Sequence, residues 1–116
     1  MSRPDCIFCK IVEGTIPSSK VFENAQVIAF KDLQPHATIH QLFIHKKHTR
    51  DINDLADNDP EQLKDIFQAM SEYSKAEGLD AQGYRVVTNL GRHAGQTVFH
   101  THFHFLAGES LGRFGK

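Results

Sequence analysis

The apolar positions of this chain fall into short blocks whose spacing alternates between helical and extended periods. Ile7, Phe8 and Ile11 are spaced for one or two turns of helix, and Gly14 can end it. Thr15-Ile16-Pro17 then reads as a break. Lys20–Glu23 and Gln26–Lys31 predict a hairpin with Asn24-Ala25 at its turn, and Ile39–His45, rich in β-branched and aromatic residues, predicts a third strand. The strongest helix signal covers Asp59–Gly78. Asp59 is a good N-cap, Pro60 suits the first helical position, and Gln62 completes a capping-box pattern. Leu63, Ile66, Phe67, Met70 and Tyr73 form the predicted buried stripe, and Gly78 the stop. Tyr84–Asn89 and Val98–Leu106 predict two more strands. The sum is a single α+β domain over 1–116, with a five-stranded, mainly antiparallel sheet, one long helix and a short N-terminal helix. One long helix covers one sheet face only, so the other face is expected to need a partner, and a homodimer follows.

Composition changes this picture in four ways. A net charge of −1 gives no long-range pull toward nucleic acid or an anionic membrane, so neither is expected as a partner. Any anionic ligand must be held by local geometry. No segment approaches the roughly 20 apolar residues of a membrane span, and the polar start Met1-Ser2-Arg3-Pro4-Asp5 is not that of a signal peptide. Cys6 and Cys9 stand too close together to staple distant parts of a fold, which points to a reducing cytoplasm. Finally, there are eight histidines and nine phenylalanines but no tryptophan.

The histidines carry the chemistry. Phe99-His100-Thr101-His102-Phe103-His104-Phe105-Leu106 alternates strictly. On a strand, His100, His102 and His104 would share one face at intervals of roughly 6.5 Å, with Phe103 and Phe105 turned into the core. Three imidazoles in a row gain nothing for packing, because each brings polar nitrogens that need partners. Two chemical readings remain open. The imidazoles could hold a catalytic metal. Alternatively the central one is a nucleophile toward phosphorus, with one nitrogen donating to a fixed acceptor and the other keeping its lone pair.

Gln96-Thr97-Val98-Phe99-His100-Thr101-His102-Phe103-His104-Phe105-Leu106 resembles the signature of the histidine-triad family, closest to its nucleotide-binding branch. The resemblance runs over nearly the whole chain, through Ile7-Phe8-Cys9-Lys10-Ile11, Ile16-Pro17, Ala29-Phe30-Lys31-Asp32, His40, Lys46-Lys47-His48 and Gly83-Tyr84-Arg85. It implies a homodimer with a continuous sheet and hydrolysis of purine nucleoside 5′-phosphoramidates (AMP or GMP joined to an amine). By that likeness His102 attacks phosphorus to form a nucleotidyl-histidine, while His104 and His40 assist beside the phosphate. Asn89, Gln96 and Thr97 match positions on the phosphate or leaving-group side. Asp32 matches a carboxylate that accepts from the ribose, and Ile7, Phe8, Ile11, Phe30 and Leu33 match the base pocket. Three departures stand out: His45 where relatives often have Pro, and Ala107 and Glu109 where Gly and Arg are usual.

The same resemblance implies a structural zinc held by Cys6, Cys9, His48 and His100, and no organic cofactor. Two cysteines at this spacing could instead be a redox pair or two inert buried thiols. At the level of function three alternatives stay open. One is a dinucleoside polyphosphate hydrolase or nucleotidyltransferase of the same superfamily. Another is a non-enzymatic, nucleotide-dependent binding dimer. The last is a metallohydrolase with zinc on all three histidines of the run.

Overall fold

Five strands, β1 (Lys20–Glu23), β2 (Val27–Lys31), β3 (Ile39–His45), β4 (Arg85–Val87) and β5 (His102–Ala107), form one antiparallel sheet in the order β1-β2-β3-β5-β4. The computed structural model describes residue 3 and residues 5–113, so Met1, Ser2 and Pro4 of the polar start lie outside the described residues. Among the described residues four α-helices accompany the sheet: α1 (Ile7–Glu13), α2 (Ile52–Asn58), α3 (Glu61–Ala76) and α4 (Leu79–Gln82).

Successive strand residues point to opposite faces, and the sheet is apolar on both. Val27, Ala29, Phe43, Phe103 and Phe105 meet Ile66, Ala69, Met70 and Tyr73 of α3. On the opposite face Ile28, Phe30, Leu42 and Ile44 meet Cys6, Phe8 and Cys9 at α1. The expectation that this second face needs a partner chain is therefore wrong in its reason: α1 already lies on it. A helix of seven residues is far too short to persist alone. It is held by its contacts, of which buried Phe8 supplies roughly 1.5–3 kcal/mol. Gly14, at φ 82°, closes α1 by donating its N–H to the carbonyls of Ile11 and Lys10.

Several expectations need correction. Asp59 does not cap α3; it ends α2, and its carboxylate accepts from the Gln62 side chain rather than a backbone N–H. Phe67 is 50% exposed, at the rim of the α3 stripe, with its ring edge-on to Phe103. The strand expected from Val98 begins only at His102. Its register pairs Ile44 with His102, so His100 would need Lys46 as its partner. Lys46 instead bonds Gln26, and the chain turns away at Lys47. His100 therefore sits in a bend before β5, where the Thr101 N–H bonds the carbonyl of Thr49.

Candidate active site and metal-binding cluster

His102 opens β5 on the face covered by α1, and it is 8% exposed. The edge of its ring meets Phe8 at 5.1 Å between centroids, and Phe8 in turn meets Phe30 at 5.4 Å. Its Nδ1–H donates to the carbonyl of His100 at 2.8 Å. That bond fixes the tautomer and leaves the Nε2 lone pair available. Burial pushes the pKa of His102 below the ordinary imidazole value, which keeps the ring neutral. Thr88, the residue immediately after β4, holds the strand by donating its hydroxyl to the His102 carbonyl at 2.8 Å.

A second pair of imidazoles stands beside it. Sheet register places His40 and His104 on the same face, with His40 Nε2 2.9 Å from His104 Nδ1. The His36 N–H donates to His40 Nδ1 at 2.9 Å. Nδ1 of His40 is therefore an acceptor, so Nε2 carries the proton and gives it to His104 Nδ1. His104 must then hold its own proton on Nε2. Asp32 follows β2, and its N–H bonds the His40 carbonyl, so strand pairing delivers its carboxylate to the same place. One carboxylate oxygen accepts from Gln34 N–H; the other lies 3.4 Å from His40 Nε2 and 3.9 Å from His104 Nδ1.

Burial, more than the neighbouring histidines, lowers the pKa of His104 to about 4, and burial likewise lowers that of His40 despite the opposing charge of Asp32. Two consequences follow from the sign. In the window between an unfolded imidazole pKa of about 6.5 and the folded value, the unfolded chain takes up protons that the folded chain refuses. Stability to denaturant is thus expected to fall as pH drops through that window. The acid limb of kcat/KM, which reports the free enzyme, is expected below about pH 6.5 rather than at it. Both are read from denaturant titrations and rate profiles over one pH series.

Six of the predicted substrate residues come together. Ile7, Phe8, Ile11, Phe30, Asp32 and Leu33 line one largely apolar cavity of about 340 Å³, with Leu33 almost fully exposed at its mouth. Asn89 lines a neighbouring cleft of about 270 Å³ with His36, His40 and His104. Gln96 and Thr97 are placed otherwise. The Gln96 amide is engaged by the backbone at Gly91, Arg50 and Val98, so it shapes the loop before β5. Thr97 is exposed and lines a separate cavity with Arg3, Cys6, His48 and Arg50. Glu109 accepts from both the N–H and the hydroxyl of Thr38, which ties the segment after β5 to the start of β3. The bond from His36 and the proximity of Asp32 to the histidine pair were not legible in the sequence. The first depends on how the loop before β3 folds back on it, and the second on the pairing of Asp32 with His40.

His100 faces a different set. The ligand atoms of Cys6, Cys9, His48 and His100 lie within 4.8 Å of one another. His100 Nδ1 is 3.4 Å from Cys6 Sγ and 3.6 Å from Cys9 Sγ, and His48 Nδ1 is 3.3 Å from Cys9 Sγ. A tetrahedral ion with bonds of about 2.0–2.3 Å has ligand–ligand edges of roughly 3.3–3.8 Å, so the four donors fit one ion. His100 Nε2–H donates to the His45 carbonyl at 3.0 Å, leaving Nδ1 as the ligating atom. Burial raises the pKa of the Cys9 thiol, so a thiolate there needs a cation beside it. Asp32, His40 and His104 also cluster within 4.8 Å, but there the tautomers decide otherwise. A metal on His40 Nε2 would require a proton on Nδ1, which would oppose the His36 N–H. That cluster is instead a hydrogen-bonded chain running from the His36 N–H through His40 to His104. The three histidines of the run thus divide between two sites.

A buried neutral imidazole with a free Nε2 thus stands beside a two-histidine pair and an apolar cavity. The chain belongs to the histidine-triad family. The family profile described as "Scavenger mRNA decapping enzyme C-term binding" matches residues 5–116. The purine nucleoside phosphoramidase of Escherichia coli is 35% identical over 108 residues, covering 93% of this chain and 91% of that protein. The adenosine 5′-monophosphoramidase of Candida albicans is 40% identical over 111 residues, covering 90% of this chain and 71% of its own. A histidine triad protein from Clostridium difficile superimposes with a TM-score of 0.94 at 43% identity, covering 99% of this chain and 100% of the other.

Proposed function

We propose that this protein hydrolyses purine nucleoside 5′-phosphoramidates through a nucleotidyl group on His102. The observation that carries the reading is the His102 Nδ1–H bond to the His100 carbonyl, which presents Nε2 as a neutral nucleophile. The base occupies the apolar cavity of Phe8, Ile11 and Phe30, with Ile7 and Leu33 at its rim. Asp32 accepts from the ribose hydroxyls, and Asn89 meets the phosphate or the leaving amine.

Nε2 attacks the α-phosphorus as the P–N bond breaks, and His102 becomes a nucleotidyl imidazolium. His104 Nε2–H protonates the departing nitrogen, and the proton between His40 and His104 follows to Nδ1. The positive charge on His102 and the negative charge on the histidine pair form and vanish together. Water then adds hydroxide to phosphorus and returns a proton to the pair, while His102 leaves as neutral imidazole. Preorganised donors in a buried site make these charges tolerable.

Among the described residues no helix is long and apolar enough to cross a membrane. The two free thiols suit a reducing compartment, which we take to be the cytoplasm. Their partner ion is zinc on chemical grounds, since two thiolates and two imidazoles are its usual structural set. It would pin Cys6 and Cys9 of the α1 segment to His100 and His48 and supply no chemistry to the reaction. A homodimer is supported by β4 as a sheet edge and by exposed Phe67 and Tyr84.

The description of the matched profile favours one rival, hydrolysis of dinucleoside or cap-like polyphosphates. Comparing kcat/KM for adenosine 5′-phosphoramidate with that for diadenosine polyphosphates separates the two. A clear preference for the P–N substrate is expected, and the reverse preference rejects it. Asp32→Asn is expected to raise KM about 10-fold, the cost of one hydrogen bond to a charged group. It should also move the acid limb of kcat/KM further down, because the Asp32 charge raises the pKa of His40 and His104.

A further inference from the structure

We infer that His45 is the positioning residue of the metal cluster, holding two of its four ligands from the opposite side of the sheet. The inference rests on the reading of that cluster as a zinc site. His45 ends β3 and is 4% exposed, with its ring on the α3 side. A buried imidazole carries two nitrogens that both need partners. Here both have one. Nδ1 accepts from the Lys47 N–H at 3.1 Å, and Nε2–H donates to the Asp65 carboxylate of α3 at 2.9 Å.

Each bond has a consequence on the far face. The first closes the turn that takes the chain out of the β3–β5 register after Lys46 and carries His48 into the cluster. The second anchors that turn to the long helix. Together they fix the His45 carbonyl, which accepts from His100 Nε2–H and so aims His100 Nδ1 at the ion site. His48 and His100 come from segments with no mutual strand pairing, and their rings meet edge to face at 4.8 Å. Without His45 the two ligands would rely on the hydrogen bonds between their neighbours Thr49 and Thr101, which join the segments but aim neither ring. An apolar residue of similar volume would fill the space but leave the Lys47 N–H and the Asp65 carboxylate unanswered.

The two nitrogens can be tested separately. In His45→Asn the side-chain oxygen stands where Nδ1 does, and an Asn oxygen readily accepts from the N–H two residues on. In His45→Gln the amide reaches toward Asp65 but offers nothing at the turn. His45→Leu offers neither. Zinc dissociation constants are measured by competition with a chromophoric chelator, beside thermal unfolding of each variant with and without zinc. Loss of a group that orients a metal ligand costs about 10-fold to 100-fold in affinity. His45→Leu and His45→Gln are expected to bind zinc about 10-fold more weakly than wild type, and His45→Asn within about 3-fold of it. The gain in unfolding midpoint on adding zinc should shrink in the same order. A merely structural histidine would lower the midpoint equally with and without zinc and leave the dissociation constant unchanged; that result overturns the inference. So does His45→Asn binding as weakly as His45→Gln, a comparison that stands even if His45→Leu does not fold. Wild-type protein that takes up no zinc at all would remove the metal reading itself, and the inference with it.

Discussion

Replacing His102 by Ala or Asn is expected to lower kcat toward adenosine 5′-phosphoramidate by about 10⁴-fold or more, the scale on which nucleophile removal acts in covalent enzymes. The size follows from what is lost. Nε2 of His102 is the atom that bonds to phosphorus, and no neighbouring nitrogen can take over. His104 commits Nδ1 to His40 and carries a proton on Nε2, and His100 turns its Nδ1 to the two cysteines. The Asn variant separates chemistry from structure. Its amide N–H can still serve the His100 carbonyl, so the bend before β5 keeps its bond while the nucleophile is gone. Nucleotide affinity should survive in both variants, because the base cavity of Phe8, Ile11 and Phe30 is untouched. Turnover by His102→Asn within 100-fold of wild type would show that water attacks directly.

Removing the metal is expected to act first on stability. A ligand present at a thousand times its dissociation constant stabilises the fold by about 4 kcal/mol. For a domain of this size that corresponds to roughly 10–20 °C in unfolding midpoint. The fall should appear on chelation or in Cys9→Ser, and zinc should reverse the first but not the second. Catalysis is linked to the cluster by structure alone, through α1 and through His100, whose carbonyl accepts from His102 Nδ1–H. Cys6 and Cys9 flank Phe8, and Phe8 packs its ring against His102. Loss of turnover should therefore track loosening of α1, visible as raised amide exchange over Ile7–Glu13 before the sheet is affected. Immediate loss of turnover with unchanged unfolding would instead assign the metal to the reaction.

Much of this architecture was legible because the residues that make it are local. The strict alternation over residues 102–105 reports the two faces of β5 without reference to any other strand. Gly78, at φ 72°, stops α3 because a left-handed residue cannot continue it. The two short helices were not legible. In α2 the only large apolar residues are Ile52 and Leu55, and α4 is four residues long, too little for a period to show. Asp59 misled because one Asp before Pro satisfies the end of one helix as well as the start of another. The alternating pattern continues through His100, yet the strand does not, since the bend depends on where β3 turns away, set by His45 and Lys47. Gln96 is the same lesson at the site. Its side chain fits a phosphate contact by position, but its hydrogen bonds are spent on three loop backbone groups.

The most direct test is chemical trapping. Wild-type protein mixed with adenosine 5′-phosphoramidate, quenched within a turnover and measured as intact mass, should carry one adenylyl group. Peptide mapping should place it on residue 102, and it should be absent from His102→Asn. An adduct on His40, His100 or His104, or single-turnover kinetics that release product with no adduct at any time, would contradict the account.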